Sequence, residues 1–382
     1  MESLMLYLTI FLVTLCILIL EDLSYKYAFD NNNQNIKFYH RKFYINGILK
    51  KSIFFLLAFF PLIVLSGQRF FVGTDYGNYL AIYKQIGEMN LRELIDKSKY
   101  LEPLYVFFNK ISYILSNGNE KAIFYSSALL IFLILYLTLL KMKEKFKISL
   151  TLGTYIFLFF FFPLTLNIIR QMIAIVFVLY AFLFLLEKKS LAFLTLIFFA
   201  SGFHNSAIIL FPLVALNFIR ENKYKYLFFL ILLSPMFVAS VLELLPSINL
   251  FSRYLAKYSI QRNSISIFDV IEASFFLIPI FLNRKKILKV FPESKPLFLI
   301  SLLIIPIVVV SSYQFWFSRM SYFIFILMIY FFPVIVKVQK DKKSKLLWEI
   351  FFLSYFFVYF ILKFYIVGTE GIFPYSTLHF VI

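Results

Sequence analysis

The chain has 382 residues, 62% of them apolar and only 15% charged, yet its formal net charge is +18. A water-soluble domain of this size needs a far more charged exterior and could not hide 53 Phe and 26 Tyr, so an ordinary soluble globule and a disordered chain are both excluded. Nucleic-acid binding would require the Lys and Arg residues to gather on one solvated face, so their placement relative to the apolar runs decides what the charge means.

A helix crosses the hydrocarbon core in roughly 17–25 mostly apolar residues. Stretches of about that length are predicted near 5–20, 51–66, 120–140, 149–167, 171–187, 190–202, 204–219, 226–245, 267–282, 296–313, 319–337 and 346–364, twelve in all. The first has no basic residue ahead of it, which argues against a cleaved signal peptide. The region 190–219 is split by Ser201-Gly202-Phe203-His204 and reads as two tilted helices or one broken one. Residues 101–115 are apolar but short and hold Asn109 and Lys110, so they read as a surface-lying or re-entrant helix rather than a thirteenth span. Most Phe residues read as lipid-facing. The expectation is an all-α polytopic membrane protein, a single transmembrane domain over 1–382 with about twelve transmembrane helices.

Orientation follows from charge. If the segment between the first two spans is cytoplasmic, the loops on that side collect 25 of the 38 Lys and Arg and nine of the 20 acids, a net of +16 against +2 on the other side. This is the positive-inside pattern, and it places both termini on the outer face.

Two outer loops are then long, 67–119 and 246–266, and long loops on a compact scaffold carry function. The first reads Gln68-Arg69-Phe70-Phe71-Val72-Gly73-Thr74-Asp75-Tyr76-Gly77-Asn78-Tyr79, with Glu102-Pro103-Leu104-Tyr105 further on. The second holds Arg253, Tyr254 and Tyr258. Interleaved aromatic and polar residues suit sugars, whose C–H faces stack on rings while their hydroxyls take hydrogen bonds. Asn167, Arg170, Gln171, His204 and Arg319 fall at predicted outer helix ends. Several guanidinium groups there would suit a pyrophosphate, through paired, charge-assisted bonds.

Plainer readings stand beside these. Arg69, Arg170 and Arg319 also fit headgroup anchors, and His204 fits a residue satisfying loose carbonyls at a helix break. Asp75 fits an Asx turn; Glu102, ahead of Pro103, fits a helix cap or dipole partner. Val72-Gly73-Thr74-Asp75 is echoed by Val367-Gly368-Thr369-Glu370, too short a match for a repeat. The lone Cys16 allows no intrachain disulfide, and His40, His204 and His379 are too scattered for a zinc motif, so no metal or other cofactor is expected.

In order along the chain, Arg-x-x-x-Gly-Thr-Asp-Tyr-x-x-Tyr at 69–79, Glu-Pro-Leu-Tyr at 102–105, Ile-Arg-Gln at 169–171, Phe-His-Asn-Ser-Ala at 203–207, Arg-Tyr at 253–254 and Pro-Tyr at 374–375 resemble the EpsG-type polysaccharide polymerases, a group similar to the Wzy O-antigen polymerases. The likeness runs from about residue 50 to the end of the chain. It implies a glycosyltransferase C-like membrane fold in a bacterial inner membrane. It also implies an outer-face enzyme that joins oligosaccharide repeat units carried on undecaprenyl pyrophosphate, for O-antigen, capsule or exopolysaccharide, without a metal.

Such a transfer needs a base for the attacking sugar hydroxyl and cations for the leaving pyrophosphate. The base ranks Asp75 first, then His204 and Glu102, with the choice left open. Arg170 and Arg319, then Arg69 and Arg253, would bind the leaving group. Thr74, Tyr76, Tyr79, Gln171, Tyr254 and Tyr258 would complete the substrate surface. Lipid-linked donor and acceptor glycans, membrane lipids, and flippase and chain-length regulator proteins are the expected partners, with no nucleic acid. The rivals are an O-antigen ligase, which would carry its very large outer loop between late spans, and a lipid-linked sugar flippase. A flippase would show mid-span polar residues and related halves.

Overall fold

The structure is a computed structural model that describes residues 1–31, 40–219, 223–224, 226–231, 233–234, 267–313, 315–378 and 380. It is helical, and no β-strand occurs among the described residues. Helices α1 (Glu2–Asn31) and α2 (His40–Gln68) are followed by three short helices, α3 (Tyr76–Glu88), α4 (Leu91–Lys97) and α5 (Pro103–Leu115). Next come α6 (Ala122–Phe146), α7 (Leu150–Thr165), α8 (Ile169–Leu186) and α9 (Ser190–Phe203). A 3-10 stretch, Asn205–Asn217, follows the break at His204. The later described helices are α10 (Ile267–Val290), α11 (Pro292–Ser311), α12 (Ser318–Lys337) and α13 (Lys342–Ile366).

Seven of these among the described residues, α1, α2, α6, α8, α11, α12 and α13, contain stretches long and apolar enough to cross a membrane. The chain is therefore an all-α polytopic membrane protein. The seven coincide with seven of the expected segments. The segments at 149–167, 190–202 and 204–219 are shorter helices, 267–282 lies within α10, and 226–245 lies mostly outside the described residues.

The chain divides into two compact units. The first comprises 1–176, 201–205 and 345–382. Its core is a ladder of rings: Phe11 lies 5.2 Å from Phe159 and 5.7 Å from Phe360, and Phe160 stacks on Tyr359 at 4.8 Å. Much of the Phe content thus packs inside rather than facing lipid, since Phe157 and Phe159–Phe162 are all buried. Edge-to-face rings fill space and interlock at once. Two π-helical turns interrupt the helices, Phe157–Phe161 in α7 and Ile361–Ile366 at the end of α13. Each widens its helix just before a segment that reaches the candidate site, in keeping with the use of such turns near function.

The basic end of this unit is tied by charge. Lys143 Nζ lies 2.8 Å from Asp22 Oδ1. Asp22 also accepts from the Ser149 hydroxyl and the Leu150 and Thr151 N–H groups, satisfying the start of α7. Tyr136 donates to Glu21 at 2.7 Å.

The second unit comprises 177–200 and 206–344. Phe276 meets Phe325 edge-on at 5.6 Å, joining α10 to α12. Asn283 and Gln339 form a buried amide pair, with Gln339 Nε2 donating to Asn283 Oδ1 at 2.8 Å, and the exposed Lys286 donates its Nζ to Gln339 Oε1 at 2.7 Å.

Candidate functional site

The candidate site lies in the first unit. Helix α3 buries Tyr76, Tyr79 and Tyr83, spaced i, i+3 and i+7 on one face, and so fixes the loop that precedes it. Gly73 in that loop has φ +90°, and a Cβ there would stand 2.3 Å from the Leu166 carbonyl oxygen. Only glycine lets the loop lie this close to the turn between α7 and α8.

Asn167 in that turn is the hub. Its Oδ1 accepts from the Thr74 hydroxyl at 2.8 Å and from the Asp75 N–H at 2.9 Å, and its Nδ2 donates to Glu370 Oε2. The backbone repeats the junction: Gly73 N–H donates to the Gly371 carbonyl at 2.9 Å and Thr74 N–H to the Glu370 carbonyl at 3.3 Å. Glu370 adopts φ +69°, a left-handed conformation uncommon for a residue other than glycine.

Asp75 stands at the N-terminal boundary of α3, but its side chain makes no capping hydrogen bond. The carboxylate is half-buried and has no hydrogen-bond or ion-pair partner among the described residues. The Asx-turn reading is thereby set aside, because the backbone N–H of Asp75, not its carboxylate, makes the tethering bond.

A second constellation gathers around Glu102. This residue precedes Pro103 at the start of α5, yet its side chain does not cap the helix. It is buried, with Oε2 accepting from Arg170 Nη1 at 2.5 Å and Oε1 lying 3.4 Å from His204 Nδ1. Burial pushes its carboxyl up, but the contact with His204 and the charge of Arg170 outweigh burial and hold it down to about 2. Arg170 lies 5.7 Å over the Tyr105 ring and keeps Nε without a hydrogen-bond partner. The Tyr79 hydroxyl feels Arg170 and Asp75 with opposite effect, and its own burial raises it above the usual phenol range. The Tyr79 N–H donates to the Asp75 carbonyl at 3.1 Å, and its ring lies 6.3 Å from that of Tyr105, over which Arg170 sits.

Arg69 is placed differently. It is 1% exposed, with its guanidinium carbon 4.6 Å from the Phe124 ring centre and 5.9 Å from that of Tyr76. Nε and Nη2 find no hydrogen-bond partner. Burial lowers its pKa to about 10, against the surrounding hydroxyls of Tyr7, Tyr76, Tyr375 and Tyr79.

Apart from Tyr7, these residues fall within 69–375, and a model of the EpsG family matches residues 52–377. The chain belongs to the EpsG family. No curated protein and no solved structure matches it.

In this EpsG-family protein, Asp75, Thr74, Tyr76, Tyr79, Glu102, Arg170 and His204 are brought together within one unit, with Arg69 behind the loop in an aromatic cage. Gln171 is buried beside Arg170 in sequence. Arg319 sits half-buried in the 3-10 turn Phe315–Ser321 of the second unit. Arg253, Tyr254, Tyr258 and the loop 246–266 lie outside the described residues. Glu370 is the residue that the motif reading passed over. Its signal was the Val-Gly-Thr-Glu echo, since the two echoed segments meet through the Gly73–Gly371 and Thr74–Glu370 hydrogen bonds.

Proposed function

We propose that this EpsG-family protein is a polysaccharide polymerase, a membrane glycosyltransferase that joins oligosaccharide repeat units carried on undecaprenyl pyrophosphate at the outer face of a bacterial inner membrane. The observation that carries this reading is the convergence of two opposite chemistries on the segment 167–170: Asn167 tethers the N–H of Asp75, whose carboxylate is unpartnered, and Arg170 is held by Glu102.

In the proposed reaction, a hydroxyl of one lipid-linked repeat unit attacks the anomeric carbon of the glycan on the other lipid. A new C–O glycosidic bond forms as the anomeric C–O bond to pyrophosphate breaks, and the hydroxyl proton passes to Asp75. The departing pyrophosphate carries the negative charge, which the exposed part of the Arg170 guanidinium, about a quarter of its side chain, would stabilise. Glu102 is assigned a holding role: a carboxyl held at about 2 is a weak proton acceptor, and its oxygens already face Arg170 and His204. Side-chain cations serve the leaving group in this scheme.

The test is reconstitution of the purified protein in vesicles with undecaprenyl-pyrophosphate-linked repeat units and no other protein. A ladder of longer glycans is expected. Glycans of unchanged length, or glycans moved whole across the bilayer, would overturn the reading in favour of a carrier.

A further inference from the structure

The second unit contains a cavity of about 320 Å³, near the lower end of the range typical of ligand pockets. Three helical segments line it. Tyr224 and Phe228 come from the first, Arg284 and Leu288 from the end of α10, and Lys295 and Phe298 from α11. Each pair has i, i+3 or i+4 spacing, so each segment turns one face to the cavity. The lining contains two basic residues and no acid.

Arg284 is exposed, and its guanidinium carbon lies 4.6 Å from the Phe298 ring centre and 6.0 Å from that of Phe228. Stacking on two rings fixes the planar group while leaving its N–H edge to donate to an oxyanion. The rest of the lining is aromatic and aliphatic, with Phe298 buried and Phe228 and Leu288 half-buried. The cavity lies at a strongly basic stretch, the end of α10 and the start of α11 at 284–295, which has five Lys and Arg against the single acid Glu293. A phosphate alone would leave the apolar lining unused. A neutral lipid would leave the stacked guanidinium unmatched.

We propose that this cavity is a binding site for an anionic phospholipid, its phosphate on the Arg284 edge with Lys295 alongside and an acyl chain against Phe228, Leu288 and Phe298. Basic pockets between membrane helices on the positive side are a recurrent way of holding such headgroups. The site does not depend on the polymerase reading, since none of its residues belongs to the Asp75–Arg170 constellation.

The experiment is native mass spectrometry of the full chain in a neutral detergent, titrated with phosphatidylglycerol, with phosphatidylcholine and with inorganic phosphate. One phosphatidylglycerol is expected to bind more tightly than phosphatidylcholine. Arg284→Gln should weaken it about tenfold, as loss of one charge-assisted contact would. Leu288→Trp should also weaken it, by occupying the acyl space, whereas Lys285→Gln, exposed on the same helix and outside the lining, should leave it unchanged. Equal binding of the two lipids, equal loss in Arg284→Gln and Lys285→Gln, or displacement of the lipid by inorganic phosphate would overturn the proposal. Because the readout is lipid retention, its failure is distinct from any failure of glycan polymerisation.

Discussion

Asn167 donates its side-chain N–H to Glu370, a partner 203 residues away in sequence, while the other end of the same amide holds the Thr74 hydroxyl and the Asp75 N–H. An amide has two donors and an acceptor oxygen in fixed geometry, so the carboxylate of Glu370 sets the direction in which Oδ1 faces the loop. The C-terminal segment therefore aligns the loop that carries the proposed base, although Glu370 itself need not touch a substrate.

Replacing Asn167 by Ala removes the partner of three groups at once. The expected result is a drop of at least about tenfold in polymer formation, in line with about 1–3 kcal/mol for leaving a buried polar group unsatisfied. Membrane insertion should be normal, because α7 and α8 keep their apolar surfaces. Glycan length in cells carrying equal amounts of wild-type and Asn167→Ala protein checks this; full-length chains at wild-type yield would remove Asn167 from the site.

Glu370→Gln keeps an oxygen that can accept from Asn167 Nδ2, and Glu370→Ala does not. The Gln variant should retain most activity and the Ala variant should resemble Asn167→Ala. If the two residues act through one bond, the Asn167→Ala/Glu370→Ala double variant is little worse than either single. Losses that multiply would show that Glu370 acts elsewhere.

Asp75→Asn preserves size and the backbone N–H that Asn167 holds, so the loop should stay in place. General acid–base catalysis contributes typically 10²–10⁴-fold, and a loss of about that size is expected in the rate of glycan transfer with little change in lipid-substrate binding. A variant with wild-type turnover would transfer the base assignment to His204.

Seven of the twelve expected spans were legible because hydropathy over about 20 residues is a local property. The chemistry of Asp75, Arg170 and Glu102 was legible as residue types at helix boundaries. Their partners were not. Glu102 makes no cap bond and meets Arg170 across 68 residues, a pairing that forms only once α5 and α8 are packed. Arg69 reads like a headgroup anchor or phosphate ligand, yet it is walled in by Phe124 and Tyr76, since nothing in a linear motif reports burial. Glu370 escaped notice for the same reason: its meaning lies in a backbone pairing with 73–74.

Gly73 offers a test of that pairing. Gly73→Ala must accept φ +90° and a Cβ 2.3 Å from a carbonyl oxygen. Neither is compatible with the loop as folded, and the strain is of order 1–3 kcal/mol for the backbone conformation alone. Protease access to the 70–75 loop should rise and polymer formation should fall, while Gly77→Ala, whose added Cβ meets only the Phe71 ring at 3.7 Å, should be tolerated in both assays.

The Glu102–Arg170 pair predicts a pH signature. A carboxyl held at about 2 against an ordinary 4.5 contributes stability that is complete above about pH 4.5 and is lost as pH falls through about 2. Between pH 5 and 8 Glu102 stays ionised, so any acid limb of activity in that window belongs to another group. Glu102→Gln should therefore lower polymerisation by a constant factor across pH 5–8, roughly 10-fold or more for loss of a charged partner to Arg170. Arg170→Lys keeps the charge but not the fork that serves Glu102 and a ligand together, and should be impaired at every pH in the same window. Initial rates of glycan extension by purified variants from pH 5 to 8 check both. A Glu102→Gln defect that disappears at the acidic end would mean that Glu102 changes charge in this range and acts as the proton acceptor after all.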